Sequence, residues 1–212
     1  MNYLAHLYLA DDDAGSRLGN LLPDLHRGRL PDGLSPAVAA GVDRHRRVDA
    51  YTDRHPVFER SRARLRPRHG RYSGVLVDVL YDHALAAQWP DYHPQPLPTF
   101  IAESYARMNR YPGLIPPRPR AIIRVMSEQD WLGTYATLDG ITLTLRRMSA
   151  RLRERFNREV DLASAVDDLR AQYDDFLADF NIFFPQMIEY VGVDHRPHAP
   201  PPPPPPEEAS ET

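Results

Sequence analysis

The apolar residues of this chain recur every three or four positions, and almost nothing in it alternates. In residues 72–89, Val75, Leu76, Val79, Leu80 and Ala84 fall at helical spacing, and residues 138–156 and 162–190 carry the same period over longer runs. A period of 3.6 lines one face of a helix, whereas a half-buried strand needs a period of two. The predicted fold class is therefore all-α. Tyr173, Phe176, Phe180, Phe183 and Phe184 form a stripe at helical spacing that reads as core rather than as a ligand pocket. Prolines divide the rest. Ser35-Pro36 has the form of an N-cap and first helical position, and His55-Pro56 marks the next break. Ser16 is expected to cap an earlier helix through Leu21 and Leu22. Proline-rich connections at 90–98 and 111–119 flank predicted helices at 99–110 and 121–132. Seven consecutive prolines before an acidic finish predict disorder or polyproline II. The expected organisation is a single compact helical domain over residues 1–192 and a disordered proline-rich tail over 193–212.

Composition removes several classes of chemistry. There is no cysteine, so disulfides and thiolate metal sites are excluded. All 26 basic residues are arginine, which excludes lysine Schiff-base chemistry. No apolar run is long enough to span a bilayer, and MNYLAHLYLA lacks the basic region and cleavage site of a signal peptide. A cytoplasmic location without membrane contact is expected. P-loop, dinucleotide and GxSxG fingerprints are absent, as is any recognised nucleic-acid module, and no nucleic-acid partner is expected.

Residues 41–53, GVDRHRRVDAYTD, carry the densest chemistry. His45 and Asp49 are four apart, as are Asp49 and Asp53, and that spacing stacks side chains on one helix face. Carboxylates and imidazole suit a divalent cation, and the adjacent Arg44, Arg46 and Arg47 suit phosphate. The same pattern also serves a solvated face with intrahelical ion pairs. Three further pairs repeat the spacing: Asn2 with His6, Asn20 with Asp24, and Asp78 with Asp82, the last followed by His83. Apolar neighbours around Asp78 and Asp82 imply burial, and a buried carboxylate needs a partner. From Asp43 to Arg71, ten arginines stand against Asp43, Asp49, Asp53 and Glu59, a local excess of six positive charges in a chain of net charge −3. Such a belt is either a solvated face or a surface for an acidic macromolecule.

The blocks MNYLAHLYLA, GNLLPDLHRG, GVDRHRRVDAYTD and DVLYDHAL, in that order and at those spacings, resemble the acyl carrier protein phosphodiesterase family. The resemblance is strong over residues 1–90 and weaker through WLGTY to about residue 190. It implies hydrolysis of the phosphodiester between 4′-phosphopantetheine and a serine of holo-acyl carrier protein, with a divalent cation, typically manganese, though magnesium or iron(II) also suits the donors. It implies a fold like that of the HD-type metal-dependent phosphohydrolases. The adjacent His-Asp doublet that names those enzymes is absent; Asp82-His83 has the reverse order, and His45 and Asp49 are split by a turn.

Within the matching blocks, Asp24, Asp78 and Asp82 are the expected metal ligands, with His45 or His6 supplying imidazole. Asp49, Asp53, Asn20 and Asn2 are expected to orient or replace them. His83 is the candidate general acid or base at the serine oxygen, and Arg46 and Arg47 are the candidates to hold phosphate. Arg44, Arg60, Arg62, Arg64 and Arg68 are expected to dock an acidic carrier protein. Two other readings fit the same residues: an HD-type hydrolase of a nucleotide or another small phosphoester, and a non-catalytic helical module that binds an acidic partner. Convergence of the polar pairs on one centre separates the enzymes from the module.

Overall fold

The computed structural model describes residues 1–157, 160–193 and 195. Apart from Val193 and His195, the proline-rich segment expected to be a tail lies outside the described residues. Among those described there is no strand, and eleven α-helices follow one another. They are α1 (Tyr3–Tyr8), α2 (Ala14–Leu25), α3 (Pro36–Arg54), α4 (Pro56–His69), α5 (Ser73–Ala87), α6 (Trp89–Tyr92), α7 (Leu97–Asn109), α8 (Pro117–Glu128), α9 (Leu138–Phe156), α10 (Ala165–Ala171) and α11 (Tyr173–Val191). Short 3₁₀ turns stand before α5 and before α9.

Local chemistry sets most boundaries. Ser35 Oγ accepts the Val38 amide and Pro36 opens α3, as its sequence predicts. The N-cap of α2 is Asp13 rather than Ser16: its carboxylate accepts the Ser16 amide, while the Ser16 hydroxyl accepts the Asp11 amide in the preceding loop. A carboxylate near a helix N-terminus also meets the positive end of the helix dipole, which favours Asp13 in this position. Prolines 117 and 119 fall in the first turn of α8, where a missing N–H leaves no bond unmade, so that helix begins earlier than expected. The run expected over 162–190 divides into α10 and α11 at Gln172.

α5 is the central helix. Leu76, Val79, Leu80 and Leu85 are all buried, and it packs against α1, α4, α9 and α11. The aromatic stripe of α11 is core as expected, with Phe176, Phe180, Phe183 and Phe184 all buried. Tyr81 of α5 lies against Phe180 and Phe183. Asp179 interrupts this stripe and is itself 1% exposed. Its carboxylate accepts Ser61 Oγ at 2.7 Å and Arg60 Nε at 2.8 Å, and it is also bound by Arg64. Arg60 and Arg64 thereby lock α4 onto α11.

The closest crossing joins α2 and α3. A Cβ on Gly19 would stand 2.7 Å from the Gly41 Cα, and one on Gly41 would stand 2.5 Å from the Ser16 carbonyl oxygen. No other residue permits that approach. The crossing presses the second half of α2 against the middle of α3, and the polar residues of the two helices meet there.

Candidate metal centre

His45 lies one turn beyond Gly41 on α3 and faces α2. Its Nδ1 is 2.7 Å from the peptide oxygen of Asn20. A carbonyl only accepts, so Nδ1 carries a proton and Nε2 is the atom turned to the carboxylates. That Nε2 is 3.0 Å from Asp49 Oδ2 and 3.8 Å from Asp24 Oδ1. Burial would lower the pKa of His45, but Asp49, Asp24 and the Asn20 carbonyl outweigh it and raise it.

His6, on α1, is fully buried, and its ring stacks on His45 with centroids 4.1 Å apart. Burial drives its pKa down to about 3, against the pull of Asp49, so its ring is neutral. Its Nε2 stands 3.3 Å from Asp49 Oδ1 but out of line for a hydrogen bond, and Nδ1 has no partner either. A buried imidazole with both nitrogens unmatched is costly as pure architecture. Burial would raise the Asp49 carboxyl; its contacts with His45 and His6 and the nearby ammonium hold it well below the ordinary range instead.

One donor atom each from His6, His45 and Asp49 lies within 4.8 Å of the others. Ligands about 2.1 Å from one ion stand roughly 3–4 Å apart, so the separations suit a shared cation. Two imidazoles and a carboxylate fit a first-row divalent ion and leave coordination positions open. Asp24, half-exposed at the rim, is the next donor; burial raises its pKa and His45 opposes the rise.

The α-amino group of Met1 extends the cluster. It lies 3.1 Å from Asp78 Oδ1 and 3.5 Å from Asp49 Oδ1. Burial disfavours its charge, yet Asp78 and Asp49 hold its pKa at about 10. Burial likewise pushes Asp78 up, and the ammonium counters it. Asp82, one turn further along α5, faces α1: its oxygens accept the Leu4 and Ala5 amides at 2.7 and 3.0 Å. Burial raises its pKa to about 7, against those two amides.

The expected residues thus divide. Asp24, His6, His45 and Asp49 share one space, with Asp78 joined through the Met1 ammonium. Asp82 holds the start of α1. Asn20 orients His45 through its backbone, while its side-chain Nδ2 donates to the Ser16 carbonyl. The Asn2 amide donates to the Tyr135 hydroxyl at 2.9 Å. Asp53 is exposed beyond Asp49 and acts on Asp78 only through its charge.

His83 is held elsewhere. Its Nδ1 lies 2.7 Å from the Tyr135 carbonyl and its Nε2 3.2 Å from the Tyr173 hydroxyl, and burial lowers its pKa. Arg46 pairs with Asp43, and Arg47 reaches the Tyr190 carbonyl and ring, because positions 46 and 47 turn away from the face that carries 45 and 49. Arg44 binds the Leu9 carbonyl and Asp11. In the belt, Arg60 and Arg64 hold Asp179, Arg68 binds Asp168, and Arg62 lies 3.5 Å from Glu59. Asp179, the partner of Arg60 and Arg64, belongs to no motif or spacing that marks the other polar residues. An acid inside an aromatic stripe is the signal that points to it, since a core-facing carboxylate must be paired.

Fold and site together define an all-helical protein in which two buried imidazoles and a carboxylate face one space, the donor set of a divalent-metal centre. The sequence profile described as acyl carrier protein phosphodiesterase matches residues 1–187, and the chain belongs to that family. A relative named acyl carrier protein phosphodiesterase from Serratia proteamaculans is 37% identical over 190 residues, covering 89% of this chain and 96% of the relative. Relatives of the same name from Photorhabdus laumondii and Escherichia coli are 34% and 35% identical, covering 89% of this chain and 94% and 96% of their own lengths. No solved structure matches the chain.

Proposed function

We propose that this chain hydrolyses the phosphodiester that joins 4′-phosphopantetheine to a serine of holo-acyl carrier protein, giving apo-carrier protein and 4′-phosphopantetheine. Family membership supports the substrate. The observation that carries the chemistry is the convergence of His6, His45 and Asp49, with both His6 nitrogens unmatched in the core. In this reading those three residues hold one divalent cation, with Asp24 as a further donor; manganese is the ion the family resemblance favours. Such a cation supplies charge neutralisation at the phosphodiester and Lewis acidity toward oxygen.

The chain's own residues prepare that site. The Asn20 carbonyl fixes the His45 tautomer, and an oriented ligand needs no rearrangement on binding. Burial keeps His6 neutral, with a lone pair free. The Met1 ammonium and the amides of α1 absorb the charge of Asp78 and Asp82. We read the helical frame as an HD-type variant in which His45 and Asp49 stand one turn apart in place of an adjacent doublet, and residues 1–192 as one domain. The exposed side of α4, with Arg62 and Arg68, is the surface proposed to meet the acidic carrier protein.

The test is to incubate purified protein with holo-carrier protein and manganese and follow the carrier by mass spectrometry. Loss of the prosthetic-group mass is expected, and EDTA should prevent it. An unchanged carrier, with a nucleotide or another small phosphoester cleaved instead, would replace this reading with that of a small-molecule phosphohydrolase.

A further inference from the structure

Beside Tyr3 of α1 lies a recess walled in part by residues of the MNYLAHLYLA and WLGTY blocks. It encloses about 340 Å³, part of it open to solvent, and Tyr3, Trp131, Tyr135, Arg147 and Arg151 line it. Only about 30 Å³ admits the centre of a water molecule, so the space is a narrow slot. Its connection to the metal centre is short. The Asn2 carbonyl accepts the His6 amide at 3.2 Å, and Tyr3 lies three residues before His6, hence beside it on the same helix face. Burial, followed by the charge of Asp24, raises the Tyr3 hydroxyl to about 12, while Arg151 pulls it the other way. Tyr3 therefore stands between the acidic cluster and the basic wall of the slot.

The two arginines differ from those of the belt. Among the described residues, neither Arg147 nor Arg151 forms an ion pair, whereas Arg60, Arg64 and Arg68 are bound to carboxylates. Arg151 lies over the Trp131 ring with its guanidinium carbon 5.0 Å from the centroid, which positions it without satisfying its N–H groups. Arg147 and Arg151 are four apart on α9 and so neighbours on one face. The slot thus offers aromatic and aliphatic walls, with Met148 among them, and unspent donors on one side.

We propose that this slot takes the pantetheine arm of the substrate, with Trp131 packing its aliphatic part and Arg147 and Arg151 donating to its amide carbonyls. The inference rests on the function proposed above. A thin chain with spaced carbonyl oxygens matches a narrow slot with donors along one wall. The arm's phosphate end would then lie toward His6, His45 and Asp49, on the far side of Tyr3.

Two measurements test the proposal. Trp89 is 2% exposed and Trp131 half-buried, so fluorescence reports chiefly on the slot. Titration with D-pantetheine, which carries no phosphate, should change the emission, and Trp131→Phe should abolish the response. A response to inorganic phosphate alone would make the arginines a simple anion site and overturn the inference, as would no response to pantetheine. In the second measurement, the Arg147→Ala/Arg151→Ala double variant should raise KM for holo-carrier protein about tenfold or more, the effect of losing one or two charged hydrogen bonds. Its manganese-dependent turnover of bis(4-nitrophenyl) phosphate, which has no arm, should stay within about twofold of the parent. An unchanged KM on holo-carrier protein overturns the slot assignment while leaving the function standing. If the parent protein itself releases no phosphopantetheine, it is the functional reading that fails.

Discussion

The ring of His45 on α3 donates from Nδ1 to the peptide oxygen of Asn20 on α2 at 2.7 Å. The bond spans two helices and exists only because Gly19 and Gly41 let the two backbones touch. A metal ligand is therefore aimed by the helix crossing itself. Gly41→Ala would place a Cβ 2.5 Å from the Ser16 carbonyl oxygen, a backbone atom that moves only if α2 moves. Overpacking of this kind costs about 1–3 kcal/mol. The expected outcome is a lower urea midpoint together with weaker manganese binding by calorimetry, since His45 sits one turn from the substitution. Lost stability with metal affinity intact would separate the crossing from the aim of His45.

His6 gives the sharper contrast between architecture and function. Both its ring nitrogens are buried without a hydrogen-bond partner. A residue kept for stability would not carry two unmatched polar atoms. His6→Gln should therefore leave the stability of the metal-free protein within about 1 kcal/mol of the parent, or raise it. The same change should lower manganese-dependent hydrolysis by more than about 100-fold, beyond what loss of an orienting group costs. Asp49→Asn should also abolish the activity. Chelation and re-addition of manganese should restore the parent and neither variant.

Asp179 sets the acid limit of stability. Burial would raise its pKa, but Arg60, Ser61 and Arg64 hold it below the usual carboxylate value of 3.8. A depressed acid contributes stability that is present above its unfolded pKa and is lost as pH falls through the lower folded value. Urea midpoints should thus be insensitive to this group at neutral pH and fall below about pH 4. Asp179→Ala leaves Ser61 and the partly buried Arg64 without their acceptor, while the half-exposed Arg60 can turn to water, and should cost about 1.5–3 kcal/mol at pH 7. The variant should have lost the part of the acid sensitivity that belongs to Asp179, which parallel titrations of parent and variant would reveal.

The division between what the sequence shows and what it hides follows from the kind of partner each residue has. His45 and Asp49 are legible because helical spacing alone places them together. Ser35-Pro36 is legible because capping is local. Asp78 and Asp82 stand out as buried acids one turn apart, but their partners are the α-amino group of Met1 and the amides of Leu4 and Ala5, which carry no side-chain signature. Asn20 was marked for its amide, yet its backbone carbonyl does the aiming. Arg147, Arg151 and Trp131 meet Tyr3 only through the packing of α9 on the rest of the fold, so no spacing announces their slot. His83 follows Asp82 in sequence, but successive helical residues point about 100° apart, and it turns to Tyr135 and Tyr173 instead.

The same distinction decides how carrier docking can be tested. Arg60 and Arg64 hold Asp179 and fasten α4 to α11, so reversing their charge would place two carboxylates against a third and unfold this region. Arg62 and Arg68 are exposed to 31% and 67%; Glu59 is a surface acid, whereas Asp168 is largely covered and is also bound by His69. Pairs with one exposed member contribute little, and His69 still holds Asp168, so the neutral Arg62→Gln/Arg68→Gln variant should fold normally. If the outer face of α4 receives an acidic carrier protein, the double variant should raise KM for holo-carrier protein severalfold at low salt. The effect should shrink as ionic strength rises, because charges separated by more than about 10 Å are screened at 0.1 M. Hydrolysis of bis(4-nitrophenyl) phosphate, which needs no docking, should not change. The salt series also separates this surface from the slot on α9, where hydrogen bonds to neutral amide carbonyls, rather than attraction to an acidic protein, should make the KM effect of Arg147→Ala/Arg151→Ala far less sensitive to salt. A salt-independent loss in the α4 variant would mean that its folding, not its docking, had been damaged, and no loss at any salt would move docking to another face.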